Sequence, residues 1–135
     1  MKAKKIDFHY GVGRRKESRA RVRLYRGKGE NTVNGQPVSK YFEGEVYKKM
    51  LAKPFGATEL TDKYYYSARV SSGGKEGQLS ALLLGLSRAL IKVTPEKNRV
   101  ILRKLNLLTR DSRIRQRRMV GMGGKARRKR QSPKR

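Results

Sequence analysis

The chain has 135 residues, with 36 Lys and Arg against 10 Asp and Glu, a net charge of +26 and a pI of about 11.2. That length allows one domain of ordinary size, and that charge repels itself unless a polyanion lies opposite. The absence of cysteine and the single histidine, His9, exclude disulfides, thiolate metal sites, a cysteine nucleophile and centres built from several imidazoles.

In chain order, Ile6, Phe8 and Tyr10 alternate with Asp7 and His9, a short strand signal that Gly11-Val12-Gly13 is expected to interrupt. Arg19 to Tyr25 alternates again, with Ala20, Val22 and Leu24 on one face and Arg19, Arg21 and Arg23 on the other. Gly27-Lys28-Gly29 reads as a hairpin turn into a short strand around residues 31–33, which Asn34-Gly35 ends by turn chemistry. Pro37 suits the first turn of a short helix over Val38–Phe42, and a second helix is expected over Glu43–Leu51, closed by Pro54. Tyr64–Val70 is a strand with Tyr64, Tyr66, Ala68 and Val70 sharing a face, broken by Ser71-Ser72-Gly73-Gly74.

Leu79, Leu82, Leu83, Leu86 and Leu90 then form one helical stripe. Thr94-Pro95-Glu96 starts a last helix: a hydroxyl at the cap, proline at the first helical position and an acid where the dipole favours it. Its buried side is expected at Ile101, Leu105 and Leu108. Strands, two short helices, a strand and two helices predict an α+β fold, an antiparallel-leaning sheet with helices on one face. From Arg110 to Arg135 the chain holds twelve basic residues and one acid, Asp111, with few apolar side chains. Such a segment cannot compensate its own ordering entropy in isolation. A globular part, 1–109, and an extended basic tail, 110–135, are therefore expected, the tail reaching about 85 Å if fully drawn out at about 3.3 Å per residue.

Arg19, Arg21 and Arg23 repeat every ~6.6–7 Å along a strand, close to the phosphate separation of a nucleic-acid strand, and the planar guanidinium suits phosphate oxygens. A solvated outer strand face is the alternative. Gly11-Val12-Gly13-Arg14-Arg15-Lys16 lacks the third glycine and the following helix of a dinucleotide fingerprint; glycines followed by three cations fit a polynucleotide better. Ser72-Gly73-Gly74-Lys75-Glu76-Gly77-Gln78 precedes the leucine-striped helix, either as a plain connection or as a backbone contact to an RNA phosphate. Tyr25 and Tyr65 lie on the polar side and are the better base-stacking candidates. In the tail, Gly121, Gly123 and Gly124 precede Lys125, Arg127, Arg128, Lys129 and Arg130. Asp7 and His9 share a face without an activated serine, so no enzyme activity and no cofactor or metal is expected. The longest uncharged apolar stretch, Gly77–Ser87, is well short of the roughly 18 residues of a membrane span, and Met1-Lys2-Ala3-Lys4-Lys5 has no apolar run behind it as a signal peptide would. A cytoplasmic location, with no membrane partner, is expected.

Several ordered motifs carry a resemblance: Gly11-Val12-Gly13-Arg14-Arg15-Lys16, Ala20-Arg21-Val22, Asn34-Gly35 with Tyr41-Phe42, and Gly73-Gly74 with Gly77-Gln78. Ser87-Arg88-Ala89-Leu90, Leu108-Thr109-Arg110-Asp111-Ser112-Arg113 and Gly124-Lys125-Ala126-Arg127-Arg128 with Lys134-Arg135 complete it. Over nearly its whole length the chain resembles the family of bacterial small-subunit ribosomal protein number nine. The resemblance implies a two-layer sandwich of a mixed four-stranded sheet with helices, like the second domain of ribosomal protein number five, with a left-handed strand–helix–strand crossover. It implies a structural, non-enzymatic part of the small ribosomal subunit that binds the 3′ major domain of the rRNA in the subunit head, beside neighbouring head proteins. The tail would thread through rRNA so that Lys134 and Arg135 touch the anticodon-stem backbone of peptidyl-site tRNA. The resemblance and the charge pattern together assign RNA contact to Arg14, Arg15, Lys16, Arg19, Arg21, Arg23, Lys75, Arg110, Arg113, Arg117, Arg118, Lys125, Arg127, Arg128, Lys129 and Arg130. Family members in bacteria usually end in phenylalanine-serine-lysine-arginine, where this chain has Ser132-Pro133-Lys134-Arg135. An architectural DNA-binding protein is the runner-up, disfavoured because the best helix is leucine-striped and bears few charges for a groove.

Overall fold

The computed structural model describes residues 7–124 and Lys129. Strands β1 (Phe8–Arg15) and β2 (Ser18–Arg26) form an antiparallel hairpin, turned at Lys16-Glu17. β3 (Thr32–Val33) and β4 (Gln36–Pro37) form a second, tiny one, turned at Asn34-Gly35 with both residues at positive φ. Helices α1 (Val38–Tyr41) and α2 (Glu45–Thr58) lead to β5 (Tyr64–Ser71), and α3 (Lys75–Ile91) and α4 (Pro95–Lys104) complete the order. The fold is α+β, as its element order implied, with a mixed sheet of five strands rather than four, the extra one being the two-residue β4.

The sheet order is β1-β2-β5-β3-β4, so β5 lies between β2 and β3, antiparallel to the first and parallel to the second. The Gly27–Gly29 turn thus does not close a hairpin, contrary to its sequence signal; it steps across a gap that β5 later fills. The short backbone ladder of β3 on β5, with the Asn34 N–H donating to the Ala68 carbonyl at 2.9 Å, is reinforced by side chains. Asn34 Nδ2 donates to the Val70 carbonyl at 2.9 Å while its Oδ1 accepts from the Val70 N–H at 2.8 Å, and Asn31 Oδ1 accepts from the Tyr66 N–H at 3.0 Å. Two amide side chains extend a two-residue ladder at both ends, each bond contributing about 1 kcal/mol net.

One face of the sheet is covered. Ala20, Val22 and Leu24 of β2 and Tyr66, Ala68 and Val70 of β5 face α3 and α2, with Tyr66 stacked on Phe55 of α2 at 6.0 Å and α4 packed on α2 and α3. The leucine stripe of α3 is buried at Leu79, Leu82, Leu86 and Leu90, and the opposite flank at Ala81, Gly85 and Ala89 is buried too. That second flank explains β1. A Cβ at Gly13 would overlap the Ala81 carbonyl oxygen and lie 2.6 Å from the Gly85 nitrogen; one at Gly11 would overlap the Gly85 carbonyl oxygen and lie 2.8 Å from the Ala89 nitrogen. The glycines do not interrupt β1, which runs through both. They let a helix backbone rest on a strand backbone, a use to which glycine in a strand is suited.

Two further expectations give way. α2 is not closed by Pro54 but continues to Thr58, because Leu51, Pro54, Phe55 and Thr58 form its buried side, and the Thr58 hydroxyl donates to the Pro54 carbonyl at 2.9 Å. α4 starts at Thr94-Pro95-Glu96, though the Thr94 hydroxyl makes no capping hydrogen bond, and it buries Asn98 and Leu102, with Ile101, Leu105 and Leu108 only half-buried. Asn98 Nδ2 donates to the Leu90 carbonyl at 2.8 Å, tying α4 to the end of α3. From Arg110 to Met119 the chain has no regular secondary structure. Among the described residues no helix is long and apolar enough to cross a membrane.

Candidate nucleic-acid interface

Strand alternation sends every second side chain of β1, β2 and β5 away from the helices. Strand register arranges these into four cross-strand rows: Phe8–Tyr25–Tyr65, Tyr10–Arg23–Ser67, Val12–Arg21–Arg69 and Arg14–Arg19–Ser71. Successive rows are about 6.6–7 Å apart and neighbouring strands about 4.8 Å. One end of the open face is aromatic and the other is guanidinium. Arg14, Arg19, Arg21, Arg23 and Arg69 are all exposed, and the four rows hold no carboxylate. Arg21 and Arg69 lie directly opposite each other, an arrangement that destabilises a sheet unless an anion bridges it.

Arg69 belongs to this group although charge counting along the sequence passed over it. Its strand reads as a tyrosine-rich core strand, and one arginine there gives no periodic signal; only the pairing with β2 makes it the neighbour of Arg21. Conversely, Arg15 lies on the helix side of β1. Its guanidinium donates to the Arg113 carbonyl and sits 3.4 Å from Asp111 Oδ2. Arg113 forks onto the same carboxylate, Nη2 at 2.8 Å and Nε at 3.0 Å, and its backbone N–H adds a bond at 3.1 Å. These contacts, led by the Arg113 side chain with its backbone N–H next and the charge of Arg15 a smaller contributor, hold the Asp111 carboxyl well below the usual carboxylate range. The only acid of the segment 110–135 is thus consumed in fastening its start to the globule.

Lys16, at φ 52° in the hairpin turn, is exposed at the guanidinium end. Lys75 is not directed at the glycine loop before α3: its ammonium donates to the Tyr41 carbonyl at 2.9 Å and lies 3.6 Å from the Tyr41 ring centroid. The first-turn N–H groups of α3 have no side-chain cap, Gly74 being the cap residue, so they remain available to an anion. Tyr25 and Tyr65 do lie on the open face, stacked on each other at 5.3 Å and 22°. Arg110, Arg117, Arg118 and Lys129 are exposed along the extension. Lys125, Arg127, Arg128, Arg130, Lys134 and Arg135 lie outside the described residues. Among those described, no group of His, Asp and Glu could hold a metal ion.

A helix-backed sheet whose other face is an uncompensated arginine surface, continued by a basic extension, defines a polyanion-facing α+β domain. The sequence model of the ribosomal protein S9/S16 family matches residues 13–135, and the chain belongs to that family, whose members are structural proteins and not enzymes. It is 43% identical over 111 residues to the small ribosomal subunit protein uS9 of Leifsonia xyli, covering 82% of this chain and 66% of that one. It is 42% identical to the protein of the same name from Lawsonia intracellularis, covering 86% and 88%, and 43% identical to that from Maridesulfovibrio salexigens, covering 87% and 90%. The chain spans just under two thirds of the length of the Leifsonia relative and of its Cutibacterium acnes counterpart, 66% and 64%.

Proposed function

We propose that the chain is a structural component of the small ribosomal subunit in the cytoplasm. Its α+β domain, residues 1–109, of the type found in the second domain of ribosomal protein number five, sits on the 3′ major domain of the rRNA in the subunit head, beside neighbouring head proteins. Its tail, residues 110–135, threads between RNA helices toward the peptidyl site, where Lys134 and Arg135 hold the tRNA backbone. The observation that carries this reading is the open face of five exposed arginines without an acid among them. Folded RNA offers converging phosphates that such a face neutralises, each contact releasing counterions. Arg15 then serves by fixing where the tail leaves the domain, and Arg14, Lys16, Arg19, Arg21, Arg23 and Arg69 by meeting phosphate. Phosphates carry no sequence information, so the tail end would hold any tRNA alike.

The test is sedimentation with small subunits combined with salt titration on rRNA. The protein should travel with the subunit at moderate salt. Replacing Arg21 and Arg69 with Ala should each lower the slope of log K against log salt by about 0.7–0.9. Recovery in nucleoid fractions, or a slope indifferent to both substitutions, would exclude the reading.

A further inference from the structure

Resting on the RNA reading, we propose that the aromatic end of the open face is a stacking platform for an unpaired base, with the flanking phosphates lying on the arginine rows. The face therefore takes single-stranded or looped-out RNA in preference to duplex.

Phe8 and Tyr10 are 40% and 38% exposed on the outermost strand of the sheet, next to Val12 at 42%. Exposed rings on an edge strand gain no apolar burial until something flat covers them. Among the described residues the ring ladder has one open end. Phe8 lies 5.8 Å from Tyr25 and Tyr25 lies 5.3 Å from Tyr65, but beyond Tyr65 the backbone of Gly29 closes the row: a Cβ there would come within 2.7 Å of the Tyr65 ring. The accessible π surface is accordingly at Phe8 and Tyr10, not at the Tyr25 and Tyr65 pair that the sequence suggested. The Arg23 guanidinium lies over the Phe8 ring, 5.2 Å from its centroid, a cation–π contact that places a cation on one face of the ring.

Spacing and charge choose the occupant. The Arg21–Arg69 row lies two row spacings from the Phe8 row, about 13–14 Å, which is two nucleotides of an extended strand. A duplex presents its bases only as edges in a groove and could not lay a base plane on Phe8. A protein partner would need carboxylates to meet five guanidiniums, whereas a polynucleotide brings both a ring and the phosphates. Sheet faces that combine aromatic side chains with cations are a general solution for single-stranded RNA.

The experiment uses the full chain and two probes of one 12-nucleotide sequence carrying 2-aminopurine at its centre: the RNA single strand and its blunt duplex. Wild-type protein should bind the single strand more tightly and quench the 2-aminopurine. Phe8→Leu and Tyr10→Leu, which keep apolar bulk and remove the ring, should each weaken single-strand binding about fivefold or more. The salt slope should stay unchanged, because no phosphate contact is lost. Duplex affinity should move less than twofold, and Tyr10→Phe should behave as wild type. Should a Leu variant melt early, photocrosslinking of wild-type Phe8 or Tyr10 to 5-iodouridine reads the same contact, and crosslinks only elsewhere would refute it. Leu variants within twofold of wild type, or equal losses on both probes, overturn the platform while a reduced slope for Arg21→Ala keeps the RNA reading intact. Salt-insensitive wild-type binding to both probes overturns both.

Discussion

Replacing Gly13 with alanine tests the helix-on-strand contact that organises this fold. The added Cβ meets backbone on every side: the Ala81 carbonyl, which it overlaps, and the Gly85 nitrogen at 2.6 Å. Ordinary contact begins near 3.4 Å, and no rotamer change can relieve a clash with backbone, so α3 must retreat from β1 by roughly 1.5 Å. Overpacking of this kind costs about 1–3 kcal/mol, and the rigidity of both partners places Gly13→Ala at the upper end. For a domain near 110 residues that is a fall in Tm of roughly 10–20 °C. Gly56 supplies the control. It is exposed inside α2, with nothing within 4 Å of a Cβ and an unstrained φ, so Gly56→Ala should raise stability by about 0.5–1 kcal/mol. Thermal unfolding followed by circular dichroism at fixed salt reads both. If Gly13→Ala melts within about 3 °C of wild type, or if Gly56→Ala falls as far as Gly13→Ala, the close-approach account is wrong.

Three further outcomes follow from named groups. The Asp111 carboxyl should titrate below its ordinary value of 3.8, and Arg113→Ala should return it toward that value, read by carboxyl NMR shifts. Because this folded-state pKa is depressed, the contribution of the clasp is present above about pH 4 and fades as pH falls below it. Tyr66, buried against Phe55, has its phenol pushed well above 10 by desolvation. The unfolded phenol ionises from about pH 10 while the folded one does not, so stability falls as pH rises through that range, and Tyr66→Phe should move the alkaline midpoint upward in absorbance titration. Removing Lys134 and Arg135 should leave assembly into small subunits unchanged while raising the off-rate of peptidyl-site tRNA; equal off-rates in filter binding would count against the tail contact.

What could be read from the sequence was local. The arginine–apolar alternation of β2, the shared face of Tyr66, Ala68 and Val70, the Leu79–Leu90 stripe and the start of α4 each depend on neighbours within a turn or two. The insertion of β5 between β2 and β3 could not be read there, since its determinants are Asn31 and Asn34 side chains reaching residues some 35 positions on. Gly11 and Gly13 looked like breaks because the Ala81–Gly85–Ala89 flank that needs them lies in another element. Pro54 looked like a stop because the apolar side of α2 that overrides it, Leu51, Phe55 and Thr58, is recognisable only against Tyr66 and α3. At the interface, the row of Arg19, Arg21 and Arg23 was visible as a period of two; Arg69 and the exposed Phe8 and Tyr10 became part of it through register alone. That Arg15 and Arg113 share the Asp111 carboxylate could not be read from the sequence, since Arg15 lies some 96 positions from it.

The central place of β5 has a consequence for how the chain comes into being. The β1–β2 hairpin is made first, yet both its flanks wait for partners that emerge much later: β5 for its inner edge and α3 for its glycine side. A growing polypeptide carries a cationic hairpin whose inner edge and glycine side stay uncovered until some ninety residues are out. The pairings that complete the sheet are non-local, so they come late, and the apolar side of the hairpin stays bare until they form.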